Sequence, residues 1–127
     1  MGARQGAVLH RRTQGLRSQD QPVPGAAIQA GRHGTELQAA RIFLYAAASK
    51  LDRKAPDASK WSAMAKRFVT DVGFNVANDA LQLHGGYGYL HDYGIEKLVR
   101  DLRVHQILEG TNEIMRVIIA RALIGRQ

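Results

Sequence analysis

One stretch of this chain leaves little choice of secondary structure: Trp61, Met64, Ala65, Phe68, Val72, Val76, Ala80 and Leu83 recur every three or four residues. That spacing lines one face of an α-helix but scatters over both faces of a strand. Asp57 or Ser59 stands where a helix N-cap is needed, and the tandem glycines 85 and 86 favour a left-handed stop. A helix that long, with one continuous apolar stripe, must be covered by other elements.

Three further segments are predicted to supply the cover. Thr35, with Gln38 three residues on, has the capping-box pattern, and Ala39, Ile42, Phe43, Ala46 and Ala47 fall on one stripe of a helix ending near Asp52. Lys50, Arg53 and Lys54 place cations at its C-terminal end, just before Pro56. Ile95, Leu98, Val99 and Leu102 predict a shorter helix, and Ile114, Val117, Ile118 and Ala122 a fourth running almost to the end. Alternating strand patterns are missing, so the expected fold is all-α, an antiparallel helical bundle over residues 35–127. With 127 residues, 45% of them apolar, the chain can build one modest core.

Residues 1–34 differ in kind. They hold six of the thirteen Gly, two of the three Pro and no aromatic residue, and their apolar residues follow neither helical nor strand period. The expectation there is an irregular basic leader. Much of the net charge of +7 belongs to it, since Arg4, Arg11, Arg12, Arg17 and Arg32 face only Asp20. Gly, Pro and Gln interrupt it too often for the amphipathic helix of a mitochondrial transit peptide. A basic chain suggests polyanionic partners, but no predicted helix presents a dense Lys/Arg face, so nucleic acid is not expected. Charged residues interrupt every apolar run, so no membrane span is expected. Cysteine is absent, which excludes disulfides and thiolate metal sites; no metal is expected.

Two segments carry candidate chemistry. In Gln82-Leu83-His84-Gly85-Gly86-Tyr87-Gly88-Tyr89, glycines allow close approach of another chain or ligand, although a helix stop followed by a turn accounts for the same residues. In Val104-His105-Gln106-Ile107-Leu108-Glu109-Gly110-Thr111-Asn112-Glu113-Ile114-Met115-Arg116, Glu109 sits among apolar residues directly before a Gly-Thr step. Desolvation by those neighbours would push its carboxyl up toward the range of a general base. The alternative is that Glu109 serves a helix N-terminus. His84 and His105 have no acid or metal partner in the pattern and are read as structural.

Order and spacing together carry a resemblance. The run LQxHGGYGYLxDYxIEKLVRDxRVHQILEGTNEIMRxIIARxLI, ungapped within a match from Thr35 to about Gly125, resembles the C-terminal signature of acyl-CoA dehydrogenases, especially short- and branched-chain members. The resemblance implies FAD as cofactor and α,β-dehydrogenation of acyl-CoA to 2-enoyl-CoA, in the catabolism of fatty acids or branched-chain amino acids. Glu109 would be the base. Gln82, Leu83, His84, Gly85 and Gly86 would contact the FAD of a neighbouring subunit, Thr111, Asn112 and Glu113 would also contact FAD, and Gly110 and Arg121 would lie near substrate. It further implies a homo-oligomer, a tetramer in the family, and electron-transfer flavoprotein as redox partner. The expected location is the cytoplasm in a bacterium or the mitochondrial matrix in a eukaryote.

The family's other two domains and its Arg-Lys-x-Phe-Gly segment are not recognisable in the chain, so the expectation is a C-terminal fragment inactive alone, or a non-catalytic module that binds intact subunits. The leader suggests why. Permitted codons for His10 to Gly34 can be chosen so that the shifted frame reads TEERKAFGRKISQFQALQFKLADMA, a string similar to what the family carries just before a Thr-Glu-Leu-Gln helix start. Residues 1–34 are therefore expected to arise from out-of-frame translation, with a single-nucleotide insertion or deletion near codon 34.

Overall fold

A computed structural model describes residues 24–125, and among them are four α-helices and no strand. We label them α1 (Pro24–Asp52), α2 (Ala58–His84), α3 (Ile95–His105) and α4 (Asn112–Ile124). Two short 3-10 helices, Gly85–Tyr89 and His91–Tyr93, join α2 to α3. The described residues divide at His33: residues 24–32, the opening of α1, belong to one unit and residues 33–125 to another. The charged leader before Pro24 lies outside the described residues.

The first helix departs from expectation at its start. It begins at Pro24, so Thr35 lies inside it and caps nothing, and residues 24–34 are helical rather than irregular. Proline is suited to a first helical turn because its missing N–H would have no partner there. Ala26, Ala27, Gln29 and Ala30 then carry the helix across Gly31 and Gly34, each of which costs about 1 kcal/mol relative to alanine. At the other end the expectation of a stop near Asp52 holds. Lys54 takes a positive φ of 53°, its N–H bonds the Leu51 carbonyl at 2.9 Å and the Ala55 N–H bonds the Lys50 carbonyl at 2.9 Å, the paired closure of a Schellman turn.

Residues 33–52 of α1 and α2 form an antiparallel hairpin, shown by contacts whose positions rise on one helix as they fall on the other. His33 Nε2 meets Asp79 Oδ2 at 2.9 Å, Phe43 stacks on Trp61 at 5.2 Å and meets Phe68 edge-on at 6.0 Å, and Lys50 Nζ reaches Asp57 at 2.9 Å. Asp57 occupies the α2 N-cap position without making a cap bond, and Ser59 lies inside the helix. The Asp57 carboxylate is engaged sideways instead, accepting from Lys50 Nζ and from Trp61 Nε1 at 3.0 Å. The Lys50 hydrogen bond, with that cation's charge and the Trp61 donor, holds the Asp57 pKa below the usual carboxylate range.

α3 and α4 pack on α2. Gly73 faces α3, where a Cβ would make ordinary contact with Leu102 Cδ2 at 3.5 Å. The buried apolar residues, Ala40, Ala47, Ala58, Ala63, Ala65, Val72 and Met115, are mostly small, and the aromatic rings between helices are half-buried. The inward face of α1 runs through Ala40, Phe43 and Ala47, whereas Ala39 is exposed and Ile42 is 70% exposed, against the stripe expected for them. Likewise α4 turns Met115 inward and leaves Ile114, Val117 and Ala122 exposed. A helix apolar on most sides offers more than one inward face, and packing rather than periodicity selects among them. Among the described residues no helix is long and apolar enough to cross a membrane, and no group of three His, Asp or Glu side chains could hold a metal.

Candidate functional site

The turn between α3 and α4 carries Glu109. Its backbone has a φ of 56°, followed by Gly110 at 90°, two consecutive residues in the region that favours glycine. The side chain is exposed, as are Ile107 and Leu108, so the apolar surroundings expected for it are not supplied within the described residues. Nor does Glu109 cap a helix. That role falls to Thr111, whose hydroxyl accepts from the Ile114 N–H at 3.4 Å.

What fixes the turn is a polar cluster on α2 that nothing in the sequence singled out. Lys66 Nζ donates to the Gly110 carbonyl at 2.7 Å and to Asn112 Oδ1 at 2.8 Å. Asn112 is only 3% exposed, and its Nδ2 donates to Thr70 Oγ1 at 2.9 Å and to Asp71 Oδ1 at 2.7 Å. Gln106 Nε2 donates to the same Asp71 oxygen at 2.8 Å, and the Asn112 N–H closes the loop onto the Gln106 carbonyl at 3.0 Å. Both ends of the segment 106–112 are thus tied to one patch of α2. These partners are more than thirty residues apart in sequence, beyond the reach of any local pattern.

Glu113 opens α4, exposed. Its own backbone N–H, then the Thr111 hydroxyl, with Arg116 nearby, lower its pKa below the usual carboxylate range. A crevice of about 230 Å³ beside it is lined by Asp71, Arg103, Gln106, Thr111, Asn112 and Arg116. A larger groove of about 830 Å³ runs between α2 and α3 past Phe74, Leu81, Val99, Arg100 and Val104. Ile107, two residues before Glu109, lines both.

The second predicted segment lies elsewhere. Along α2 the rise from Thr70, beside Asn112, to Gln82 is about 18 Å. Gln82, Leu83, His84, Gly85 and Gly86 are all exposed. Gly85 has a φ of 59° and nothing lies within 4 Å of a Cβ placed on Gly85 or Gly86, so a flat ligand or another backbone has open access. Gly88 is buried: a Cβ there would come within 2.7 Å of the Leu81 carbonyl oxygen, so the turn folds back onto the last turns of α2. His84 Nδ1 bonds the Ala80 carbonyl at 2.8 Å, and His105 is exposed at the end of α3. Arg121 is exposed in the last turn of α4, about 14 Å along the helix from Asn112. The chain therefore gathers Glu109 to Glu113 in one place and holds Gln82–Gly86 in another.

Against a flavin, these residues divide. The open glycine backbone at 85 and 86 and the exposed side chains of Gln82 and His84 fit contact with a large planar cofactor, and the half-buried Thr111 lies at a helix N-terminus suited to a negative group. The Asn112 side chain does not fit, since its amide is spent inside the protein.

The model of the "acyl-CoA dehydrogenase, C-terminal domain" family matches residues 8–124. The mitochondrial isobutyryl-CoA dehydrogenase of Dictyostelium discoideum is 55% identical over 89 residues, 70% of this chain and 21% of that protein. Butyryl-CoA dehydrogenase from Megasphaera elsdenii superposes with a TM-score of 0.75 at 34% identity, over 79% of this chain and 26% of that one. A solved FAD complex of PigA superposes at 0.69 with 31% identity, over 74% and 24%. The chain spans about a fifth of the length of the curated relatives it matches. The family model spans most of the chain and the described residues are all helical, so this chain is a member of the acyl-CoA dehydrogenase family, corresponding to its C-terminal domain.

Proposed function

We propose that the chain contributes the proton-removing side of an acyl-CoA dehydrogenase site, with Glu109 as general base. The observation that carries this reading is an exposed carboxylate on a turn whose two ends are pinned to α2. A Glu109 oxygen takes the α-proton of the acyl-CoA as the Cα–Cβ double bond forms. A bound FAD would supply the acceptor for the β-hydrogen as hydride. Gly110, with a positive φ, sets the direction of the turn beside the substrate, and Arg121 contacts the acyl-CoA farther along α4. Thr111 and Glu113 would contact one flavin, and Gln82, Leu83, His84, Gly85 and Gly86 that of a neighbouring subunit, a division supported by the distance along α2 from Thr70, beside Asn112, to Gln82. Asn112 serves the same flavin only through its place in the turn. Electron-transfer flavoprotein would reoxidise the cofactor.

Because Glu109 lacks apolar cover in the described residues, its activation as a base depends on surfaces supplied by other protein. The purified chain with FAD and isobutyryl-CoA should therefore reduce no dye. Mixing it with a full-length dehydrogenase whose own base is replaced by glutamine should restore turnover, and the Glu109→Gln chain should not. Turnover equal for both chains would remove Glu109 from the role.

A second reading is favoured by the outward side of α1, where Ile42, Tyr45 and Leu51 are 70%, 66% and 61% exposed. On that reading the chain is a helical module that joins intact dehydrogenase subunits without catalysing. Co-purification with a full-length relative, unaffected by Glu109→Gln, supports it; a monomer with no such affinity counts against it.

Residues 1–34 we read as out-of-frame translation ahead of an in-frame tail, a reading against which the family match from residue 8 and the helix over 24–34 both count. Sequencing the locus tests this: an in-register dehydrogenase frame upstream supports it, and an unrelated upstream region overturns it.

A further inference from the structure

We infer that Lys66 is a positioning residue that holds the Glu109 turn in its left-handed conformation by clamping the Gly110 carbonyl. The inference rests on the reading of Glu109 as the base and adds a residue to it.

A glutamate at a φ of 56° sits in a conformation that L-residues with a Cβ disfavour, and the next residue also has a positive φ. Left alone, the turn would relax to conformers with φ below zero. Two restraints oppose this. The Asn112 N–H to Gln106 carbonyl bond closes the loop but leaves the peptides inside it free to rotate. The Lys66 ammonium acts inside the loop, bonding the Gly110 carbonyl at 2.7 Å and thereby setting the plane of the peptide that follows Gly110. Its second bond, to Asn112 Oδ1 at 2.8 Å, ties that peptide to the buried amide, which Thr70 and Asp71 hold from α2. A charged donor makes the shorter, stronger class of hydrogen bond; the bond to the Gly110 carbonyl lies at the surface, and the part-buried bond to Asn112 anchors the same ammonium. Asp71 and Asn112 carry the turn's ends, and Lys66 alone among these side chains bonds a carbonyl within it.

The test is amide exchange on the 127-residue chain. Lys66→Met, which keeps the apolar stem, should speed exchange of the Asn112 amide at least tenfold while Val72 in α2 keeps its rate. Lys66→Arg, which restores a charged donor, should return Asn112 to within about threefold of the unmodified chain. Equal Asn112 exchange in the Met variant and the parent, or no rescue by arginine, overturns the proposal. Should the Met variant lose its helices, the unmodified chain decides: slower exchange of the Lys66 ammonium protons than of those on exposed Lys54 supports the clamp, and equal exchange overturns it. None of these readings involves turnover, so Glu109 could fail as the base while the clamp stands, and the reverse.

Discussion

The two turns that carry this chain's family motifs are held by opposite means. Between α3 and α4, half-buried polar side chains reach across from α2 to distant partners, from Lys66 to Asn112 and from Asp71 to Gln106. Between α2 and α3, the shape of the backbone does the holding: Gly85 and Gly94 turn with positive φ, Gly88 lies against Leu81, and the tyrosines stay outside, Tyr87 at 66% and Tyr89 at 78% exposure. The first turn is specified by side chains and presents one carboxylate in a fixed place. The second is specified by the lack of side chains and presents open backbone.

The contrast breaks most sharply at Asn112. Asn112→Leu leaves Lys66, Thr70 and Asp71 without their buried partner, and urea unfolding should show a loss of about 3 kcal/mol. In the glycine turn the comparable change is Gly88→Ala, whose methyl meets the Leu81 carbonyl oxygen and His84 Cβ, neither of them the far end of a flexible side chain, so a loss of about 2 kcal/mol is expected. If Gly88→Ala cost more than Asn112→Leu, the order of the two mechanisms would be reversed.

pH sharpens the comparison. The Glu113 pKa is lowered in the folded chain, first by its own backbone N–H and then by the Thr111 hydroxyl. Its contribution is therefore full above the ordinary glutamate value and lost as pH falls through the lower folded value. Thermal melts of Glu113→Gln should show a shallower acid limb than the parent and little change near neutrality. The smallest effect is expected at Tyr87, which is 66% exposed and whose ring meets that of exposed Tyr93 edge-on at 5.3 Å. Tyr87→Ala should shift stability by less than about 0.5 kcal/mol.

Much of the bundle was legible because it is periodic. The α2 stripe from Trp61 to Leu83 and its glycine stop correspond to Ala58–His84, and α3 and α4 fall where their apolar residues recur. The start of α1 was not legible, since Gly31 and Gly34 read as breakers while the alanines between Pro24 and Thr35 outweigh them. Nor was its inward face, because Ala39 and Ala40 are equivalent in a pattern and differ only in what packs on them. At the site, the Glu-Gly-Thr run was recognisable but its surroundings were not. Ile107 and Leu108 suggested an apolar pocket around Glu109, yet both point substantially to solvent. The Lys66 cluster left no trace because its partners lie on separate helices.

Glu109 itself has an evolutionary consequence. A φ of 56° is a place where glycine or asparagine would sit with less strain, so the acid stands there against the preference of the backbone. A mutant library passed through rounds of heat challenge, with no demand for chemistry, should drift at this position toward those smaller residues. The carboxylate would then be among the first features to disappear, while the fold that displays it grew sturdier.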